Sequence, residues 1–106
     1  MRTKLSTWNG GSGFEYERNN SDGTIVVYYG ENYEYSLVLD SLLYDKLVRT
    51  FSGKGVRVNH CLAEENIEDW LTKNGVRAGV SQYVAPIVLH EGYAVEGPRR
   101  GTILFT

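Results

Sequence analysis

The hydrophobic period of this chain changes at Asp40, and that change restricts the fold to one holding both a sheet and helices. From Phe14 to Leu39 the period is two. Phe14 and Tyr16 alternate with Glu15 and Glu17. The run Thr24-Ile25-Val26-Val27-Tyr28-Tyr29 is β-branched and aromatic, and Tyr33, Tyr35, Leu37 and Leu39 resume the alternation. Asn19-Asn20-Ser21-Asp22-Gly23 and Gly30-Glu31-Asn32 supply turn residues between these runs. The expectation for 14–39 is a three-stranded antiparallel meander. Gly10-Gly11-Ser12-Gly13 sets off a short N-terminal tail that is expected to be loosely ordered.

Past Asp40 the period is that of a helix. Asp40 suits an N-cap, and Leu39, Leu42, Leu43, Leu47 and Phe51 fall along one face up to a stop at Gly53. The alternation Val56, Arg57, Val58, Asn59 reads as a short edge strand. Asn66 opens a second helix, with Asp69 at capping-box spacing and Asn74-Gly75 at its end. A third helix follows from Val80, Tyr83, Val84, Ile87 and Val88 and stops at Gly92, with Pro86 expected to kink or divide it. Trp70, Leu71, Tyr83 and Ile87 are expected inside. Ser81, Gln82, Ala85 and Leu89 are expected on the outer side. Tyr93 and Val95, the turn Gly97-Pro98-Arg99-Arg100-Gly101, and Ile103 with Phe105 read as a terminal hairpin.

The length of 106 residues suits one domain, 1–106, with the meander at 14–39 and a helical core at 40–106. No segment carries the apolar run of a membrane span, and Met1-Arg2-Thr3-Lys4 leads into no signal-peptide core, so the expected location is the cytoplasm. One cysteine and two histidines are too few for a four-ligand zinc site, and neither metal nor cofactor is expected. The net charge of −2 conceals blocks: residues 14–45 carry −6, 46–60 carry +4 and 61–70 carry −4. Such a chain presents faces of opposite sign.

Ile87-Val88-Leu89-His90-Glu91-Gly92-Tyr93 running into Gly97-Pro98-Arg99-Arg100-Gly101-Thr102 is similar to the recognition-helix ending, glycine stop and Arg-Gly wing of one family. Together with the order helix, strand, helix, helix, hairpin over 40–106, it resembles the winged helix-turn-helix domain of bacterial and archaeal transcription regulators. The resemblance implies an α+β fold in which the meander precedes a winged helix-turn-helix. It implies a small regulator that binds double-stranded DNA as a homodimer, not an enzyme. Gln82 is then the base reader, able to offer a donor and an acceptor to adenine. Ser81 and the amides at the helix start suit a phosphate, as does Arg77, and Ala85 permits close approach to the major groove. Arg99 and Arg100 take the wing's place on the minor groove or backbone. The acidic residues Glu64, Glu65, Glu68 and Asp69 must then point away from phosphates.

Other readings of the same residues lead elsewhere. Winged-helix folds also dock proteins, so an interaction module without DNA contact is the alternative. The tyrosines of the meander could stack single-stranded bases, but they alternate onto aliphatic faces within a segment that would repel phosphates. His60-Cys61 with Glu64 holds the raw materials of a thiol nucleophile, although adjacent residues do not generally set a base against a nucleophile.

Overall fold

In the computed structural model, which describes residues 1–106, contacts fall into two units, Met1–Thr50 and Phe51–Thr106. The first unit holds a sheet of four strands in the order of the chain: β1 (Thr3–Ser6), β2 (Gly13–Arg18), β3 (Ile25–Tyr29) and β4 (Tyr35–Leu39), all antiparallel. The register Tyr16↔Val27↔Leu37 and Ile25↔Leu39 sets one apolar face, on which Phe14, Tyr16, Ile25, Val27 and Leu39 are buried. The expected three-stranded meander is therefore one strand short. Thr3–Ser6 pairs with Gly13–Tyr16, and the glycine stretch is a hairpin turn closed by Thr7 N–H to Ser12 O at 2.9 Å. The four-residue alternation of β1 is too short to stand out before its partner is known.

Turn chemistry between β2 and β3 is as expected. Asn19 Oδ1 accepts from Ser21 N–H at 2.8 Å, Asp22 Oδ1 accepts from Thr24 N–H at 2.9 Å, and Gly23 takes φ +77°. Tyr33 departs from its expected place in a strand: it sits in the next turn at φ +56°, and β4 begins at Tyr35. Helix α1 (Ser41–Thr50) follows directly on Asp40. Its buried residues are Tyr44 and Leu47, whereas Leu42, expected on the inner face, is 73% exposed. The inner face of α1 is thus shared by Leu47, from the expected stripe, and by Tyr44.

In the second unit, β5 (Gly55–Arg57), α2 (Ile67–Lys73), α3 (Ser81–His90), β6 (Ala94–Glu96) and β7 (Thr102–Phe105) follow in the expected order. The three strands are antiparallel in the spatial order β5-β7-β6, with Val56↔Ile103 and Val95↔Leu104 as partners. Phe51 is buried, its ring 5.7 Å from Phe105 and edge-on to Trp70 at 6.1 Å. Leu71 and Ile87 are buried as expected, but Trp70 and Tyr83 are only half-buried. On the hairpin, Ala94, Ile103 and Phe105 face inward, while Tyr93, Val95 and Leu104 are exposed.

Helix α2 begins as the sequence indicates: Asn66 Oδ1 accepts from Asp69 N–H at 2.7 Å. Its C-cap is Asn74, and Gly75 follows at φ +86°. Helix α3 runs unbroken through Pro86, so the expected division does not occur. Gly92 ends it at φ +84°, with Tyr93 N–H reaching Val88 O at 3.1 Å. The outer face of α3 is narrower than expected. Ser81 and Ala85, placed outside from the sequence, are 1% and 0% exposed. Their small side chains, one turn apart, suit close packing of α3, which contacts both α2 and β6.

Candidate nucleic-acid interface

The basic hairpin tip is shaped by two glycines with different reasons for being there. Gly101 takes φ +82°, a region that L-residues seldom adopt. Gly97 has no such angle, but a Cβ added there would collide with the Thr102 side chain. Thr102, directly after Gly101, ties the turn, its hydroxyl donating to Arg99 O at 2.5 Å. Gly101 O accepts from Val58 N–H at 3.1 Å, which fastens the tip to the residue after β5. Arg57 and the tip therefore share one end of the small sheet, although the chain separates them by two helices.

At that end two arginines converge on one carboxylate. Arg57 Nε donates to Glu64 Oε2 at 2.7 Å, and Arg99 Nη2 donates to Glu64 Oε1 at 2.7 Å. The hydrogen bonds from Arg99 and then Arg57 hold the Glu64 carboxyl below the ordinary carboxylate range. Glu64 in turn raises the Arg57 guanidinium. Arg100, next to Arg99 in the chain, is exposed.

The start of α3 is likewise occupied by an acidic residue. Glu68, in the first turn of α2, accepts from Gly79 N–H at 3.1 Å and 3.3 Å through its two oxygens, and from the Ser81 hydroxyl at 2.7 Å. The Ser81 hydroxyl that the sequence suggested for a phosphate is therefore already bonded within the chain, together with the Gly79 amide. Ser81, buried and donating inward, is not available as a surface phosphate ligand, and Ala85 presents nothing to solvent. Gln82 stays partly exposed, and its amide nitrogen donates to Asn59 Oδ1 at 2.7 Å. Arg77 is exposed in the turn joining α2 to α3.

The acidic segment thus does the opposite of pointing away. Asp69 completes the cluster: His60 Nδ1 lies 2.7 Å from its Oδ1, and Asn66 Nδ2 donates to its Oδ2 at 3.0 Å. The His60 contact first, then Asn66, keep the Asp69 carboxyl below its ordinary range. Buried Asn66 also donates to Cys61 O at 3.2 Å and Glu64 O at 3.1 Å, so one amide anchors the 61–66 loop to the start of α2. Sequence reasoning missed Asn59, Glu64 and Glu68 as partners. The available signal was the abrupt step from a +4 block to a −4 block, which calls for pairing between them. Comparison with known protein families, curated proteins and solved structures finds no match to this chain.

Proposed function

We propose that the chain is a small DNA-binding regulator whose residues 40–106 form a winged helix-turn-helix. The convergence of Arg57 and Arg99 on a single pair of oxygens carries this reading. Two guanidiniums aimed at one oxyanion have the chemistry that recognises a backbone phosphate. The strand order β5-β7-β6, with two helices between β5 and β6, accords with a wing at Gly97–Gly101. In this reading Arg57, Arg99 and Arg100 hold phosphates, Arg77 adds a backbone contact, and Gln82 reads a base edge in exchange for its bond to Asn59. A homodimer on a symmetric site completes the proposal, with exposed Tyr35 and Val38 on the outer strand β4 supporting the sheet as its contact.

The test is a salt titration of duplex binding. Changing Arg99→Ala and Arg100→Ala together should weaken binding and lower the slope of log K against log salt by about 2, near 0.9 per lost phosphate contact. Failure of the unaltered protein to bind any duplex at low salt would end this reading. The interaction module is the second reading, favoured by Val95 and Leu104. These cross-strand partners are 54% and 38% exposed on the outer face of the small sheet. Under that reading Val95→Glu abolishes partner binding and the arginine changes do not.

A further inference from the structure

We infer that Glu64 is a built-in phosphate surrogate that keeps the arginine clamp closed until nucleic acid displaces it. The inference rests on the DNA-binding reading above and concerns the regulation of the same site. Its basis is the occupancy of the clamp. Glu64 uses both oxygens, one for each guanidinium, as a phosphate would use two of its own. It is delivered by a loop that is anchored at Asn66 and Asp69 but leaves Leu62, Ala63 and Glu65 exposed. The anchor persists when the Glu64 side chain swings away, because Asn66 holds the Glu64 backbone carbonyl and not its carboxylate.

Exposure decides that the closed state can be opened. The side chains of Glu64, Arg57 and Arg99 are 34%, 38% and 59% exposed, so water screens the pairs and each is held weakly. A duplex presents a row of phosphates where Glu64 presents one carboxylate, and it gains counterion release on binding. The consequence is selectivity. An isolated anion does not outcompete a tethered carboxylate, whereas a polyanion that also reaches Arg100 does. Glu65 supplies the control, since it carries the same charge one residue away and pairs with Lys54 at 3.8 Å instead of with the clamp.

Duplex binding by the unaltered protein, Glu64→Gln and Glu65→Gln, each with and without Arg99→Ala, tests this directly. Glu64→Gln should tighten binding by about tenfold, Glu65→Gln by about twofold or less, and Arg99→Ala should cut the Glu64→Gln gain to about threefold. A second measurement does not depend on DNA: the arginine Nε–Hε resonances are followed while inorganic pyrophosphate is added. In Glu64→Gln the Arg57 and Arg99 signals should shift at pyrophosphate concentrations that leave the unaltered protein unchanged. If the unaltered protein binds DNA and Glu64→Gln binds no better, the surrogate role is wrong and the DNA reading stands. If no variant binds DNA but pyrophosphate shifts the two arginines only in Glu64→Gln, Glu64 stands in for a phosphate in the clamp, while its release by DNA and the DNA reading both fall. Shifts that are equal in both proteins, or absent from both, overturn the surrogate role.

Discussion

The two sheets of this protein use similar residues and differ in how far along the chain each strand finds its neighbour. In the first, every strand pairs with the next one, so β1, β2, β3 and β4 lie side by side. In the second, β5 pairs with β7 only after two helices and β6 have been made. Polar partners follow the same division. On the first sheet Arg2, just before β1, reaches Glu15 on β2 at 3.3 Å and lies 3.4 Å from the Tyr28 ring centroid on β3, while the Tyr28 hydroxyl donates to Glu17 on β2 at 2.6 Å, so these partners stay within the first three strands. In the second unit Glu64 joins Arg57 to Arg99, and Glu68 joins α2 to the start of α3. Local pairing costs little loop-closure entropy and leaves its charges on a surface. Distant pairing must bring separate segments to one place, and its charges then gather at that place.

The comparison can be broken most decisively in the cores. Phe14→Ala in the first unit and Phe51→Ala in the second, both at 0% exposure, should each cost about 3–5 kcal/mol in chemical denaturation. A value under about 1 kcal/mol for either would mean that its unit does not depend on that ring. Next come two asparagines that cap turns of the two units. Asn66→Ala removes a buried amide with bonds to the α2 start and to two loop carbonyls, and should cost about 2 kcal/mol. Asn19→Ala removes one exposed bond to Ser21 and should cost about 0.5 kcal/mol or less.

Acid sharpens the contrast further. Glu64 and Asp69 have folded-state carboxyls held below their unfolded values, so each contributes stability that is present above the unfolded carboxylate range, about pH 4, and is lost as pH falls through the folded value. Denaturation followed from neutral pH downward should show this loss, and Glu64→Gln should flatten it. Asp22 is also lowered, by the Thr24 backbone bond, so Asp22→Asn should flatten part of the same limb from the first unit. An acid limb indifferent to Glu64→Gln would show that the clamp carries no stability. The smallest expected effect is at Leu42, where exposure of 73% predicts a change within about 0.5 kcal/mol for Leu42→Lys. A loss of several kcal/mol there would restore the leucine stripe that the sequence suggested.

Much of the framework was legible because its signals are local. The Asn66–Asp69 cap, the Gly75 and Gly92 stops and the Asn19–Thr24 turn each depend on a few consecutive residues, and each stands where the pattern put it. The candidate site was only half legible. Arg99 and Arg100 could be found from a basic turn between glycines, but Ser81 and Ala85 were assigned to the wrong side of α3. Helical periodicity fixes which residues share a stripe, and neighbouring elements decide how wide an arc is covered. Small residues such as these fit either a covered or an open flank.

The order of its amino acids by itself determined that this protein has an antiparallel meander, three helices and a terminal hairpin, because period, caps and turn residues act over a few positions. Only the tertiary structure decided that Thr3–Ser6 joins the sheet, that α3 buries Ser81 and Ala85, and that Glu64 closes on Arg57 and Arg99. Strand partners and ion pairs depend on distances between segments remote in the chain. Those distances exist only once packing has brought the segments together.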